Sequence, residues 1–218
     1  MREAFQEELD KFLDDLIMLS NLANESLHKA MKAFEENDRE LAHQVVTDDI
    51  KTNAKSAEIE REAYRLIALQ QPVAGDLRRI FTILLANSDV ERIADHAVSI
   101  ARTVLRRNPN EEHIEELDVI VQEMASITQS MISDAIKALV NSDVKASKEI
   151  AERDNEVDNL RSQVYGKAAR YMESHTEVVI GGINYISVAN GLERIGDYVT
   201  NICERIVYLN TGDIVELN

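Results

Sequence analysis

The sequence predicts an all-α protein of six long helices, arranged as two pseudo-symmetric antiparallel three-helix bundles. Three observations carry this. Apolar residues recur at alternating steps of three and four, the stripe of an amphipathic helix. Only 2 prolines and 7 glycines occur in 218 residues, so little interrupts the chain. The second half repeats landmarks of the first at a nearly constant shift.

The first helix carries Phe5, Leu9, Phe12, Leu16, Leu19, Ala23, Leu27, Ala30 and Phe34 on one face. Turn residues close it at Asn37-Asp38 and recur at Gln71-Pro72, Asn108-Pro109-Asn110, Asn141-Ser142-Asp143 and Ser174-His175-Thr176. Five turns leave six helices of roughly 30 residues, each about 45 Å long. Short connections make consecutive helices antiparallel. The fourth helix repeats the first with Leu117, Val121, Met124, Thr128, Met131, Ala135 and Ala138.

Identities support the duplication. Glu7-Glu8-Leu9-Asp10 recurs as Glu115-Glu116-Leu117-Asp118, a shift of 108. Ala33, Asp38, Asp49 and Arg65 recur as Ala138, Asp143, Asp154 and Arg170, a shift of 105. Glu91-Arg92-Ile93 and Asp95 recur as Glu193-Arg194-Ile195 and Asp197, a shift of 102. The shift changes only near turns, as loop insertions require. The repeats are expected to span 1–108 and 109–218.

Carboxylates interrupt the apolar pattern at matching places. In the third helix Leu77, Leu84, Glu91, Val98 and Leu105 share one heptad phase, with Asp95 a turn after Glu91. The sixth helix repeats this with Val179, Ile186, Glu193, Thr200 and Val207, with Asp197 in the neighbouring phase. Paired acids on a core face repel and lose hydration unless something positive is supplied. Asp49 with Asn53 on the second helix, and Asp154 with Asp158 on the fifth, are spaced to face them. Such all-oxygen clusters suit Mg²⁺, Mn²⁺ or iron, and Zn²⁺ less naturally. The competing reading neutralises these acids with Arg92, Arg194, Arg78, Arg79 and Arg102 as salt bridges.

Charge and composition narrow the function. Forty acidic against 24 basic residues give a net charge of −16, a field that repels a phosphate backbone and argues against nucleic acid. The single cysteine, Cys203, suits a reducing compartment and a buried apolar role. The start, Met1-Arg2-Glu3-Ala4-Phe5, has no signal-peptide pattern, and the longest uncharged stretch, Val178 to Leu192, is 15 residues and too short to span a membrane. A cytoplasmic protein is expected. Glu25-x-x-His28 and Glu40-x-x-His43 match a di-iron spacing, but both fall off the apolar stripes and read as surface. No nucleophile–base pair or glycine-rich phosphate loop is visible, so no enzyme is expected.

The run Gln71-Pro72-Val73-Ala74-Gly75-Asp76-Leu77-Arg78, followed by Glu91-Arg92-Ile93-Ala94-Asp95, resembles the first-repeat signature of the PhoU family. Glu193-Arg194-Ile195-Gly196-Asp197 with Asn201-Ile202-Cys203-Glu204 resembles the second, and the likeness covers essentially the whole chain. The resemblance implies metal-binding E(D)xxxD pairs, here Asp49, Glu91 and Asp95, then Asp154, Asp158, Glu193 and Asp197. Asn53 departs from the strict pair. It further implies a homodimer that restrains phosphate uptake and the phosphate-starvation response through the phosphate ABC transporter ATPase and a sensor histidine kinase. Asp76, Arg78 and Arg79, with Arg106 and Arg107 on the same helix, break the acidic surface and are expected to form one partner contact. A metal-dependent carboxylate enzyme and a purely structural dimerisation module are the alternatives.

Overall fold

The computed structural model describes residues 2–108, 113–175 and 179–217. Of the expected turns, Pro109, Asn110 and Thr176 lie outside the described residues. Among the described residues seven helices are present: α1 (Arg2–Glu36), α2 (Arg39–Gln70), α3 (Ala74–Arg106), α4 (Glu115–Asn141), α5 (Val144–Glu152), α6 (Asp154–Ser174) and α7 (Val179–Thr211). No strand occurs among the described residues. They form the six expected rods, because α5 and α6 are one rod broken at Arg153. There the Arg153 amide bonds the Ile150 carbonyl at 3.1 Å, a three-residue step that tightens the turn.

The stripes of the first and fourth helices bury as their periodicity requires. From Leu9 to Phe34 every stripe residue of α1 is essentially inaccessible, and so is every one named for α4. Fully burying one such Leu or Phe stabilises the fold by about 1.5–3 kcal/mol. The repeat extends to its caps. Asp38 accepts from the amides of Glu40 and Leu41, both at 2.9 Å, and its counterpart Asp143 accepts from Ala146 at 2.9 Å. Asn37, Gln71 and Ser142 close their helices with φ of 51°, 46° and 54°, the left-handed turn that ends a helix.

Helices α1, α2 and α3 form one bundle, and α4, α7 and the broken rod α5–α6 form the other. The two share a single core, joined by α3 against α7 and α1 against α4. Asn24 on α1 reaches Ser133 on α4 at 3.0 Å. Along the central seam Asp89 meets Arg205 at 2.6 Å, and Gly191 lies against Ile100. Higher α3 numbers therefore meet lower α7 numbers, so the two helices run antiparallel. Combined with the 102-residue shift, this puts the pseudo-two-fold axis beside Asp95 and Asp197.

Arg107 fastens the connection between the repeats. Its buried guanidinium lies 4.9 Å from the Phe34 ring centre and 5.8 Å from that of Tyr185, and donates to the Phe34 carbonyl at 3.1 Å. Tyr185 in turn donates to Asp118 at 2.6 Å and accepts from the Ile114 amide at 3.1 Å. One end of α1, the end of α3 and the start of α4 are thereby held on α7. Arg107 cannot belong to a surface patch with Arg78 and Arg79; it is buried at the far end of the same rod.

Candidate functional site

The carboxylates gather on the flank of the central helices, not in their core. The phase Leu77, Leu84, Glu91, Leu105 is only half-buried, with Val98 alone fully covered. The buried stripe of α3 runs instead through Ile80, Ile83, Ala86, Val90, Ile93, Ala94, Ala97, Ala101 and Val104. Because α1, α2 and α7 all pack on α3, its core face is wide and rich in small residues, which a search for large residues at seven-residue steps passes over. Glu91 is consequently half-buried and Asp95 exposed, and in α7 Glu193 and Asp197 are half-buried.

In the first repeat, α2 brings Asp49 toward α3. Asn53 donates to Asp49 Oδ2 at 2.9 Å, while Oδ1 is buried without a hydrogen-bond partner. Burial pushes the Asp49 carboxyl up, the Asn53 bond opposes this, and the negative charge of Asp95 adds to the rise. Glu91 is held by Ser56, whose hydroxyl donates to Oε2 at 3.2 Å and accepts from Asn87 at 3.1 Å. Asp95 lies 3.7 Å from Arg92.

The second repeat is balanced differently. Glu193 lies 3.3 Å from Arg161 on α6 and 3.7 Å from Arg194, which also reaches Asp197 at 3.1 Å. Burial pushes the Glu193 carboxyl up, and Asp197 and Asp158 push the same way against the two arginines. Exposed Asp158 thus stands within electrostatic reach of Glu193. Asp154, expected at the edge of its stripe, is wholly buried at the first turn of α6. It lies so close to Gly196 that a Cβ there would collide with its carboxylate.

Among the described residues no three His, Cys, Asp or Glu side chains converge tightly enough to enclose a cation. The donor chemistry nonetheless fits a hard ion in the first repeat, where Asp49 keeps an unspent buried oxygen within electrostatic reach of Asp95. In the second repeat Arg161 already partners Glu193, so an ion there must displace a guanidinium. His28 and His43 are exposed with Glu25 and Glu40, as their phase predicts.

The family described as PhoU domain matches residues 16–104 and again residues 121–206. The chain belongs to the PhoU family. A phosphate-specific transport system accessory protein PhoU homolog of Clostridium acetobutylicum is 34% identical, over 100% of this chain and 99% of its own. The Streptococcus pneumoniae homolog of the same description is 33% identical over 100% of both. The crystal structure of the phosphate transport system regulatory protein PhoU from Streptococcus pneumoniae superposes with a TM-score of 0.90 at 31% identity, covering 97% of this chain and 99% of that one. PhoU from Pseudomonas aeruginosa gives 0.90 at 30%, covering 96% and 100%.

On this PhoU-family frame, periodicity failed to mark Asn87, Asp89, Arg161 and Arg205. Asp89 is the clearest case: it is buried between α3 and α7, held by Arg205 at 2.6 Å and near Asn201 at 3.4 Å. A lone acid directly before Val90 on the core stripe was the available signal.

Proposed function

We propose that this protein is an accessory regulator of phosphate uptake, acting in the cytoplasm through contacts with the phosphate ABC transporter ATPase and its sensor histidine kinase. The observation that supports this most is the full-length agreement with relatives named as accessory proteins of phosphate-specific transport. Among the described residues no helix is long and apolar enough to cross a membrane. The reading accordingly places the protein at the membrane through its partners. A surface with a net charge of −16 favours basic patches on those partners and association that slows as salt rises. Repeats 1–108 and 109–218 offer two related faces to two partners, and a homodimer doubles them. Surface plasmon resonance with the purified ATPase and the kinase's cytoplasmic part tests the contacts. Saturable, salt-sensitive binding to at least one is expected, and binding to neither refutes them.

The same reading includes a metal ion. Asp49, Asn53, Glu91 and Asp95 would hold it in the first repeat, and Asp154, Asp158, Glu193 and Asp197 in the second. Iron, manganese, magnesium or zinc would supply the positive charge that the crowded carboxylates lack. Metal should raise the melting temperature with concentration. Glu91→Ala with Asp95→Ala should remove the gain from the first repeat, and Glu193→Ala with Asp197→Ala from the second. If wild type gains nothing from metal and the alanine variants are the more stable in chelator, these carboxylates do not serve a cation.

A further inference from the structure

We propose that the groove between the first half of α3 and the end of α7 is a docking site for an amphipathic helix of a partner protein, with basic residues flanking its apolar face. The proposal rests on the protein acting through other proteins and adds where one of them sits and what chemistry it brings.

The groove encloses ≈ 330 Å³. Phe81 and Leu85, one turn apart on α3, are 42% and 43% exposed along one wall, and Tyr208 of α7 lines the other. Past α7 the chain reverses at Gly212, whose φ of +81° suits glycine. The returning strap is pinned where the Leu217 amide donates to Glu204 Oε1 at 3.0 Å. It brings Ile214 and Val215 to the groove as a third wall, yet leaves Ile214 90% exposed. The chain's own segment thus lines the groove without filling it. On the floor Thr82 is 1% exposed, and its hydroxyl has no hydrogen-bond partner.

Backbone chemistry selects a helix. The α3 and α7 walls spend their amides and carbonyls inside their own helices, so free backbone is offered only by the short strap. An extended peptide would bury unpaired backbone, whereas a helix arrives with its hydrogen bonds made. Charge selects basic flanks. Glu204, Asp213 and Glu216 lie on the rim and strap, and Arg205, the one cation lining the groove among the described residues, is held by Asp89 at 2.6 Å. The groove is not duplicated, because Ile183, Ser187 and Arg106 stand where the repeat would place Phe81, Leu85 and Tyr208.

A labelled synthetic helix with a leucine face flanked by lysines provides the test, titrated into the full chain by fluorescence anisotropy. Saturable binding is expected, weakened about tenfold by Phe81→Asp and by Leu85→Asp and reduced by salt. Ile183→Asp should leave it unchanged. Both groove positions are already partly exposed, and circular dichroism verifies that the variants fold. Equal binding by Phe81→Asp, equal binding of a glutamate-flanked helix, or no binding would overturn the proposal. So would self-association that Phe81→Asp dissolves while the peptide stays unbound, since the occupant would then be a second copy. If the peptide fails while a strain lacking the gene loses phosphate-dependent repression, the groove is lost and the regulatory reading stands.

Discussion

Asp89 on α3 and Arg205 on α7 meet at 2.6 Å across the seam that joins the two repeats. The matching place on the other side of the pseudo-two-fold axis holds Gly191 and Thr103, with Gly191 packed on Ile100. One end of the seam is therefore an ion pair and the other a close helix–helix approach. Removing Arg205 strands a buried carboxylate, so Arg205→Ala should lower the unfolding free energy by about 3 kcal/mol in urea titrations. Replacing both partners, Asp89→Leu with Arg205→Met, should restore most of that loss. A single-variant loss below about 1 kcal/mol, typical of an exposed pair, would show that the seam does not depend on it.

The pH response of the same pair has a defined sign. Burial raises the Asp89 carboxyl above its ordinary 3.8, and the bond to Arg205 only partly opposes this. The folded state then holds its proton more tightly than the unfolded state. The group's contribution to stability is complete below the unfolded value and is lost as pH rises through the folded one. Wild type should lose stability relative to Asp89→Asn as pH climbs above 3.8. Thermal melts across the acid range check this, and a relative gain would reverse the assignment.

Gly196 and Asp154 should be energetically coupled. A methyl at position 196 collides with the buried Asp154 carboxylate. Gly196→Ala should cost about 1–3 kcal/mol. In an Asp154→Ala background most of that cost should vanish, giving a large coupling term in a double-mutant cycle. Additive costs would mean that the carboxylate is not what requires the glycine.

Periodicity revealed the architecture because it is local. The α1 and α4 stripes and the turns at Asp38 and Asp143 depend on residues within a few turns of one another, and the duplication shows as identities along the chain whatever the packing. The helix break at Arg153 was not legible: Asp48 occupies the matching place in an unbroken α2, and neither residue is a helix breaker by composition. The burial of the candidate carboxylates was misjudged. That depended on how many neighbours pack on α3 and α7, which one helix's pattern does not contain. Asp89–Arg205 and Arg161–Glu193 were invisible for a related reason, since each joins residues on different helices whose rotation is set by packing.

The most direct test of the central claim is the expression of phosphate-starvation genes in a strain lacking this gene, grown with abundant phosphate. The account predicts high expression, returned to the repressed level by the wild-type gene on a plasmid. Charge reversal at Arg78 and Arg79 should return it only partly, with the protein still folded. Full repression in the deletion strain, with no second copy of the gene present, would contradict a regulatory role in phosphate uptake.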